Sequence, residues 1–420
     1  MIERRDTVTL LKRVEEVSIS SSFISRRSYE TSILGVRQLL GGCWFVNSCS
    51  RCSDTAKLNS ELDSIVKTAD IEHCSVSDSF KVDFYSGKLS LGSWVNDHGF
   101  LDSVLSLVKE HLVLGGNYTL TIRMLQTIRT IRADDGSESF EEKNLSEVDV
   151  CVQTRSGALG GIRLNKVVLL GLERSAERAF EELIKAARDR VKAIATARRP
   201  GLSDVGRAEV VLTHEASPKF FHEISHLLSG SRSRWVVGRK LFDADAMRIL
   251  DSPGDIRKPT ARFFDDEGVT AKRRWLVERG LVIDAHHSII TAFEADSSPG
   301  SAHGLFGDVK PFHTSLIVER GDWSDDELLE ETKRGFTVDS VALVSLEENI
   351  VRIIPHYAFR LVRGDLGEAV YVRSIKIPIT RPIKILGVGQ TSYTTFSSEA
   401  EYSLVSESSP PVKVEAFIEV

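Results

Sequence analysis

His222, Glu223 and His226, in the stretch FFHEISHLLSG (220–230), have the types and spacing to work together on one metal ion. Residues four apart on an α-helix are rotated by only about 40° around its axis, so both imidazoles can reach a common point. Neutral imidazoles suit Zn2+, and a catalytic zinc keeps one position open for water. Glu223 would then be the general base that takes a proton from that water. The same residues could instead form a hydrogen-bonded polar stripe beside Phe220, Phe221 and Leu227. A longer zincin signature is absent: Ser229 stands where its glycine belongs, and no histidine follows at the required distance. A third ligand has to come from farther away.

The neighbouring pattern can position such a helix. EVVLT (209–213) reads as a strand, and the turn that follows has Pro218 near a helix start. Upstream, SDTAKLNSELDSIVKTA (53–69) and NDHGFLDSVLSLVKEHL (96–112) carry apolar residues at helical spacing. YTLTIRMLQTIRTIRA (118–133) and SEVDVCVQT (146–154) read as strands, with Val148, Val150 and Val152 on one face. RSGALGG (155–161) is a turn and IRLNKVVLLG (162–171) a return strand. Residues 173–197 form the strongest helix pattern, with Leu183, Ala187, Val191 and Ile194 in its apolar stripe. ARRPGLSDVGR (197–207) has the proline, glycine and charge of a connection.

Beyond it the pattern is mainly β, with a hairpin around Glu278-Arg279-Gly280 and a helix near 323–336. The Ser-rich 397–411 reads as a long loop or cover segment. The expected fold class is α+β: an N-terminal mixed α/β domain over 1–200 and a C-terminal β-rich domain over 201–420 carrying the HEISH helix.

Composition narrows the function. The chain has 420 residues, 41% hydrophobic and 27% charged, with net charge −6. That balance does not favour nucleic acid. No run long enough to span a membrane is present, and the N-terminal pattern lacks a signal-peptide core, so a cytoplasmic location is expected. All five cysteines lie within the first 151 residues. Cys49, Cys52, His73 and Cys74 could be read as a zinc knuckle, but adjacent His73 and Cys74 would point apart, and small buried thiols fit better. Basic-aromatic runs at 232–240 and 272–275 read as a solvated rim.

Several segments, in order, resemble the TldD/PmbA family, also called modulators of DNA gyrase, whose TldD branch consists of zinc metallopeptidases. They are ILGVRQLLGGCWFVNS (33–48), EVDVCVQTRSGALGG (147–161), EVVLTHEASPKFFHEISHLLSG (209–230), FFDDEGVTAKRRWLVERGLV (263–282) and SAHGLFGDVKPFHTSLIVERGD (301–322). The resemblance implies His222 and His226 as zinc ligands and Glu223 as the catalytic glutamate, with His214-Glu215 structural. It implies unfolded or leader-like peptide substrates and a homodimer, or a heterodimer with a PmbA-type paralogue. Two departures stand out. The family places three residues between the glutamate and the second histidine, where this chain has Ile224 and Ser225. The family's third ligand is a cysteine near the C-terminus, and 399–420 contains none. His303 and Glu267 are candidates to replace it, and the role of Asp265-Asp266-Glu267 is open between a turn and a metal or substrate contact. A non-catalytic, PmbA-like partner subunit that has lost full metal coordination is the alternative reading.

Overall fold

The computed structural model describes residues 3–20, 23–69, 76–77, 80–94, 117–153, 161–171, 173–201, 204–399 and 403–420. Its architecture is α+β and strand-rich, as expected. The helix read over 96–112 and the turn over 155–160 lie outside the described residues, as do His73 and Cys74.

The first sheet has seven strands and uses only residues up to 169. Two long antiparallel hairpin strands, Glu3–Ser20 and Ile24–Leu40, flank Cys43–Ser50 on one side and Tyr118–Ala133 and Glu138–Gln153 on the other. Gly161–Leu169 and the short parallel strand Gly87–Leu91 both pair with Glu138–Gln153. Val148, Val150 and Val152 are buried together, as their period-two spacing requires. The helix Glu173–Thr196 covers this face with Leu183, Ile184, Ala187 and Ile194. A second helix, Thr55–Thr68, is capped by the Asp54 side chain, which accepts from the Lys57 N–H, and packs Leu58 and Leu62 on Val36. Cys49 and Cys52 are joined as a disulfide, which corrects the reading of these two as free buried thiols; Cys151 is free and half-buried.

The rest of the described chain builds two large sheets around one core, and a separate two-stranded ladder. Nine strands form a sheet in which the C-terminal strand Val412–Glu419 lies beside Gly206–Leu212, which in turn pairs in parallel with Arg334–Val338. Six strands form the other, including Ile249–Asp251, Ser315–Val318, Ser403–Ser409 and Tyr393–Glu399. The hairpin at 279–280 forms as read, with Arg279 and Gly280 both at positive φ. Two readings need correction. The helix near 323–336 stops at Glu330, and 334–338 is a strand. The Ser-rich stretch at 397–411 is no loop: Tyr393–Glu399 and Ser403–Ser409 are antiparallel neighbours, the second nearly fully buried.

A buried charge cluster ties the first sheet to the remainder, and Asp265-Asp266-Glu267 is its centre. Asp265 accepts from the N–H groups of Glu267, Val269 and Ala302, which makes it a turn former. Asp266 pairs with Arg262 at 2.8 Å and with Arg129 of the first sheet, and accepts from the Gly304 N–H. Arg37, also from the first sheet, donates to the Asp266 carbonyl. Burial alone would raise the Asp266 pKa, but the Arg262 and Arg129 guanidiniums outweigh it and hold the carboxyl well below its ordinary value. Removing the charge leaves buried Arg262 without its carboxylate and Arg129 with Glu141 alone. Asp266→Asn is therefore expected to cost about 3 kcal/mol of unfolding stability at pH 7. A depressed carboxyl stabilises above its unfolded pKa and loses that contribution as pH falls, so the gap to wild type should narrow below about pH 4. Urea unfolding at several pH values checks this; equal stability at pH 7 would contradict the clamp.

Candidate metal centre

The helix Ala216–Ser225 buries Ala216, Phe220, Phe221 and Ile224 completely in the large core. That burial turns His222 and Glu223 toward the opposite side. His226 follows at the helix C-cap, still in right-handed helical conformation, so its ring stays near that of His222 with centroids 5.2 Å apart. The chain then passes Gly230, where an added Cβ would meet Thr291 Oγ1 and the His286 carbonyl at 2.5 and 2.6 Å. Only glycine lets the chain leave the helix so close to that neighbouring backbone.

The polar side of the helix packs on the two Ser-rich strands. Thr395, Ser397 and Glu399 alternate onto one face, opposite Glu407 of the partner strand. Glu407 is buried and collects donors from all sides. Its Oε1 accepts from His222 Nδ1 at 2.7 Å and His313 Nε2 at 2.9 Å, and Thr395 Oγ1 donates to Oε2 at 3.0 Å. Ser397 Oγ adds a contact at 3.0 Å. Since His313 gives Nε2–H to the carboxylate, its Nδ1 accepts from Ser225 Oγ at 2.7 Å, and that hydroxyl faces His286 Nε2 at 3.2 Å. A directed chain thus runs from His286 through Ser225 and His313 to Glu407. Burial would raise the Glu407 pKa, yet the bonds from His222 and His313 bring it down to about 2.

With Nδ1 held by Glu407, His222 presents Nε2 to Glu399 Oε1 at 3.1 Å, and His226 Nε2 lies 4.0 Å from the same oxygen. One atom each of His222, His226 and Glu399 falls within 4.8 Å of the others. Ligand atoms around a tetrahedral zinc, with bonds of roughly 2.0–2.1 Å, sit about 3.3 Å apart, so these positions fit. Two imidazoles and one carboxylate are also an established catalytic zinc donor set. The His222 Nδ1–Glu407 bond is the kind of outer contact that fixes which imidazole nitrogen faces a metal. A second grouping, His222, His313 and Glu407, is equally tight, but there Glu407 is already engaged by both imidazoles, Thr395 and Ser397.

The electrostatics agree with a cation site. Burial opposes charge on His222, but its two carboxylate partners outweigh that and push its pKa up to about 10. His226 is driven down to about 4 by burial and by the neighbouring His222 charge. Two carboxylates against one imidazolium leave a net negative charge, which a dication that replaces the His222 proton would neutralise.

Glu223 lines a cavity of about 610 Å³ together with His226 and Glu399. Its Oε2 accepts from the Leu346 N–H at 2.8 Å, and burial raises its pKa. The two sequence candidates for third ligand fall outside this metal group, although His303 lines the same cavity. Glu267 is taken by the Trp44 indole N–H at 3.0 Å and the Ile289 N–H at 2.7 Å, and His303 contacts Arg262. Glu215 pairs with Arg190 and Lys219, and His214 stacks on Tyr393 at 4.4 Å. Sequence reasoning missed Glu399, Glu407, Ser225 and His313. The signal was the alternation Thr395-x-Ser397-x-Glu399, hidden by a composition that resembles a loop.

Several known proteins match parts of the chain or its fold. Residues 205–375 match the family model of the PmbA/TldA metallopeptidase C-terminal domain. A metalloprotease of Archaeoglobus fulgidus is 30% identical over 221 residues, covering 50% of each chain. One from Methanocaldococcus jannaschii is 39% identical over 141 residues, covering 31% of each. The aligned region therefore spans half or less of these relatives. Among solved structures, TldE from Thermococcus kodakarensis covers 99% of this chain and 96% of its own at TM-score 0.72 and 14% identity. A candidate modulator of DNA gyrase from Bacteroides thetaiotaomicron covers 99% and 95% at TM-score 0.75 and 14% identity. Those likenesses establish the fold: the α+β architecture of TldE and the candidate gyrase modulators. Residues 205–375 carry the match to the PmbA/TldA family's C-terminal domain, and over the whole chain the likeness is one of fold.

Glu407 is the acceptor for two imidazoles and two hydroxyls, so Glu407→Ala should lower stability by about 3 kcal/mol or more. Denaturant unfolding measures it, and a loss under 1 kcal/mol would contradict the hub.

Proposed function

We propose that the protein is a zinc-dependent peptidase in which His222, His226 and Glu399 hold the metal and Glu223 handles the proton. The observation that carries this reading is the convergence of Glu399 on the two histidines at the edge of a cavity that Glu223 also lines. Glu399 opens the C-terminal stretch in which the family resemblance implies a cysteine, and its carboxylate would take that ligand's place. Bound zinc would supply Lewis acidity toward a scissile carbonyl and lower the pKa of water.

The chain's own groups do the rest. Glu407 and Ser397 orient His222, and the Leu346 N–H holds one oxygen of Glu223. The other oxygen, Oε1, has no hydrogen-bond partner among the described residues, so it is available to accept a proton and return it to the leaving amine. Phe312, Pro311 and Ile290 line the cavity beside these groups. Substrates on this reading are unfolded or leader-like peptides, and the protein acts in the cytoplasm as a homodimer or beside a PmbA-type paralogue. A domain boundary near residue 200 separates the first sheet and its covering helix from the site-bearing part. Among the described residues no helix is long and apolar enough to cross a membrane.

A second reading has its own support. Protonated His222 between Glu399 and Glu407 is a satisfied ion cluster without any metal, as a non-catalytic partner subunit would need. Metal analysis separates the two. Stoichiometric zinc is expected in the purified protein and should be lost in His222→Ala and Glu399→Ala. Glu223→Gln should keep the zinc and lose peptide cleavage by at least about 100-fold. A wild type that stays zinc-free after zinc is added would reject the peptidase reading.

A further inference from the structure

The cavity also presents charge that metal chemistry does not use. Arg232, in the turn Gly230–Arg232 after the site helix, and Lys310 both line it. Neither cation makes a side-chain hydrogen bond or ion pair within the described residues. Buried arginines behave differently: Arg129, Arg190, Arg262 and Arg274 are all paired with carboxylates.

His303 lies beside Lys310, its register partner in the short ladder of Ala302–His303 with Lys310–Pro311. Opposite residues on an antiparallel pair share a face. His303 is 1% exposed, and its Nε2 has no hydrogen-bond partner. The tautomer follows from its other nitrogen. Nδ1 is 3.5 Å from an Arg262 nitrogen, which can only donate, so Nδ1 accepts and the hydrogen sits on Nε2. A buried N–H without an acceptor is costly unless something else supplies one. Here it belongs to a residue lining the cavity, next to a free ammonium. The carboxylates among the cavity-lining residues are Glu223 and Glu399, which the metal site already employs.

We propose that this cavity holds a carboxylate subsite: Arg232 and Lys310 receive an anionic group of the bound peptide, either its free C-terminal carboxylate or an acidic side chain, with the buried His303 Nε2–H behind them as an unused donor. The proposal rests on the peptide-binding reading of the cavity, and it adds what that reading lacks, a chemical preference. Two cations facing a hydrated opening act over a distance of about a Debye length, so the preference should weaken as salt rises. A carboxylate that reaches His303 also gains the unused donor.

Zinc-loaded Glu223→Gln protein, which binds without turnover, tests the subsite with four fluorescent peptides of one neutral sequence. Two differ only as C-terminal acid and amide; two are amides that differ only as Glu and Gln at one internal position. Dissociation constants from anisotropy should favour the carboxylate by about tenfold or more in at least one pair, or about 1.4 kcal/mol. Acid over amide identifies the terminus as the source, and Glu over Gln the side chain. Adding Arg232→Ala and Lys310→Ala together should bring the ratio near one, while Arg232→Lys with Lys310→Arg should largely keep it. Equal affinities in both pairs, no binding of any peptide, or a ratio unchanged in the double alanine variant would overturn the proposal. A protein that keeps the ratio while its wild type never cleaves peptides would refute the peptidase reading and leave the subsite standing.

Discussion

The carboxylate of Glu407 is the point on which the site depends. It is buried, it is ionised, and it accepts from two imidazoles and two hydroxyls that come from three parts of the chain. A charge in that position is tolerable only because every lone pair has a donor. The consequence is orientation. His222 must give Nδ1 to Glu407, which leaves Nε2 facing Glu399 and the cavity. His313 must give Nε2, which orders Ser225 and, through it, His286. The site helix is thus fixed from its polar side by hydrogen bonds and from its apolar side by Phe220, Phe221 and Ile224.

The same strand serves the second buried charge cluster. Ser403, four residues before Glu407 and on the same face, donates to Asp266 Oδ2 at 3.2 Å. Asp266 in turn holds Arg129 of the first sheet and Arg262. The metal-centre strand and the contact between the two halves of the chain are therefore mechanically one unit. That explains why the Asp-Asp-Glu-Gly segment is so polar and yet so buried: it is a joint, and its charges are matched by guanidiniums supplied from across the joint.

How much of this could be read from the residues follows the physics of each element. The site helix was legible because its histidines are four apart and Pro218 stands near a helix start after a strand. Val148, Val150 and Val152 were legible as a strand face because they alternate at period two. The hairpin at Arg279-Gly280 was legible because its turn needs positive φ. The Ser-rich strands were not, because composition is a poor guide where both faces of a strand are buried among polar partners. Ser406 meets Thr260 and Ser315, Ser409 meets Ser217, and Thr394 meets Ser408, so hydroxyl pairs do the work expected of valines. Glu399 and Glu407 were hidden in that stretch. His303 and Glu267 were plausible as ligands by type, but only tertiary contacts reveal that Glu267 is already occupied and that His303 sits beside Arg262 and Lys310.

The claim that matters most is that Glu399 supplies the oxygen ligand where the family resemblance implies a sulfur. X-ray absorption at the zinc K-edge of the zinc-loaded protein addresses it directly. The result expected is a shell of nitrogen and oxygen at about 2.0–2.1 Å, with no sulfur scatterer. A sulfur shell at about 2.3 Å would contradict it, because the cysteines all lie in the first part of the chain and the metal would then be held elsewhere.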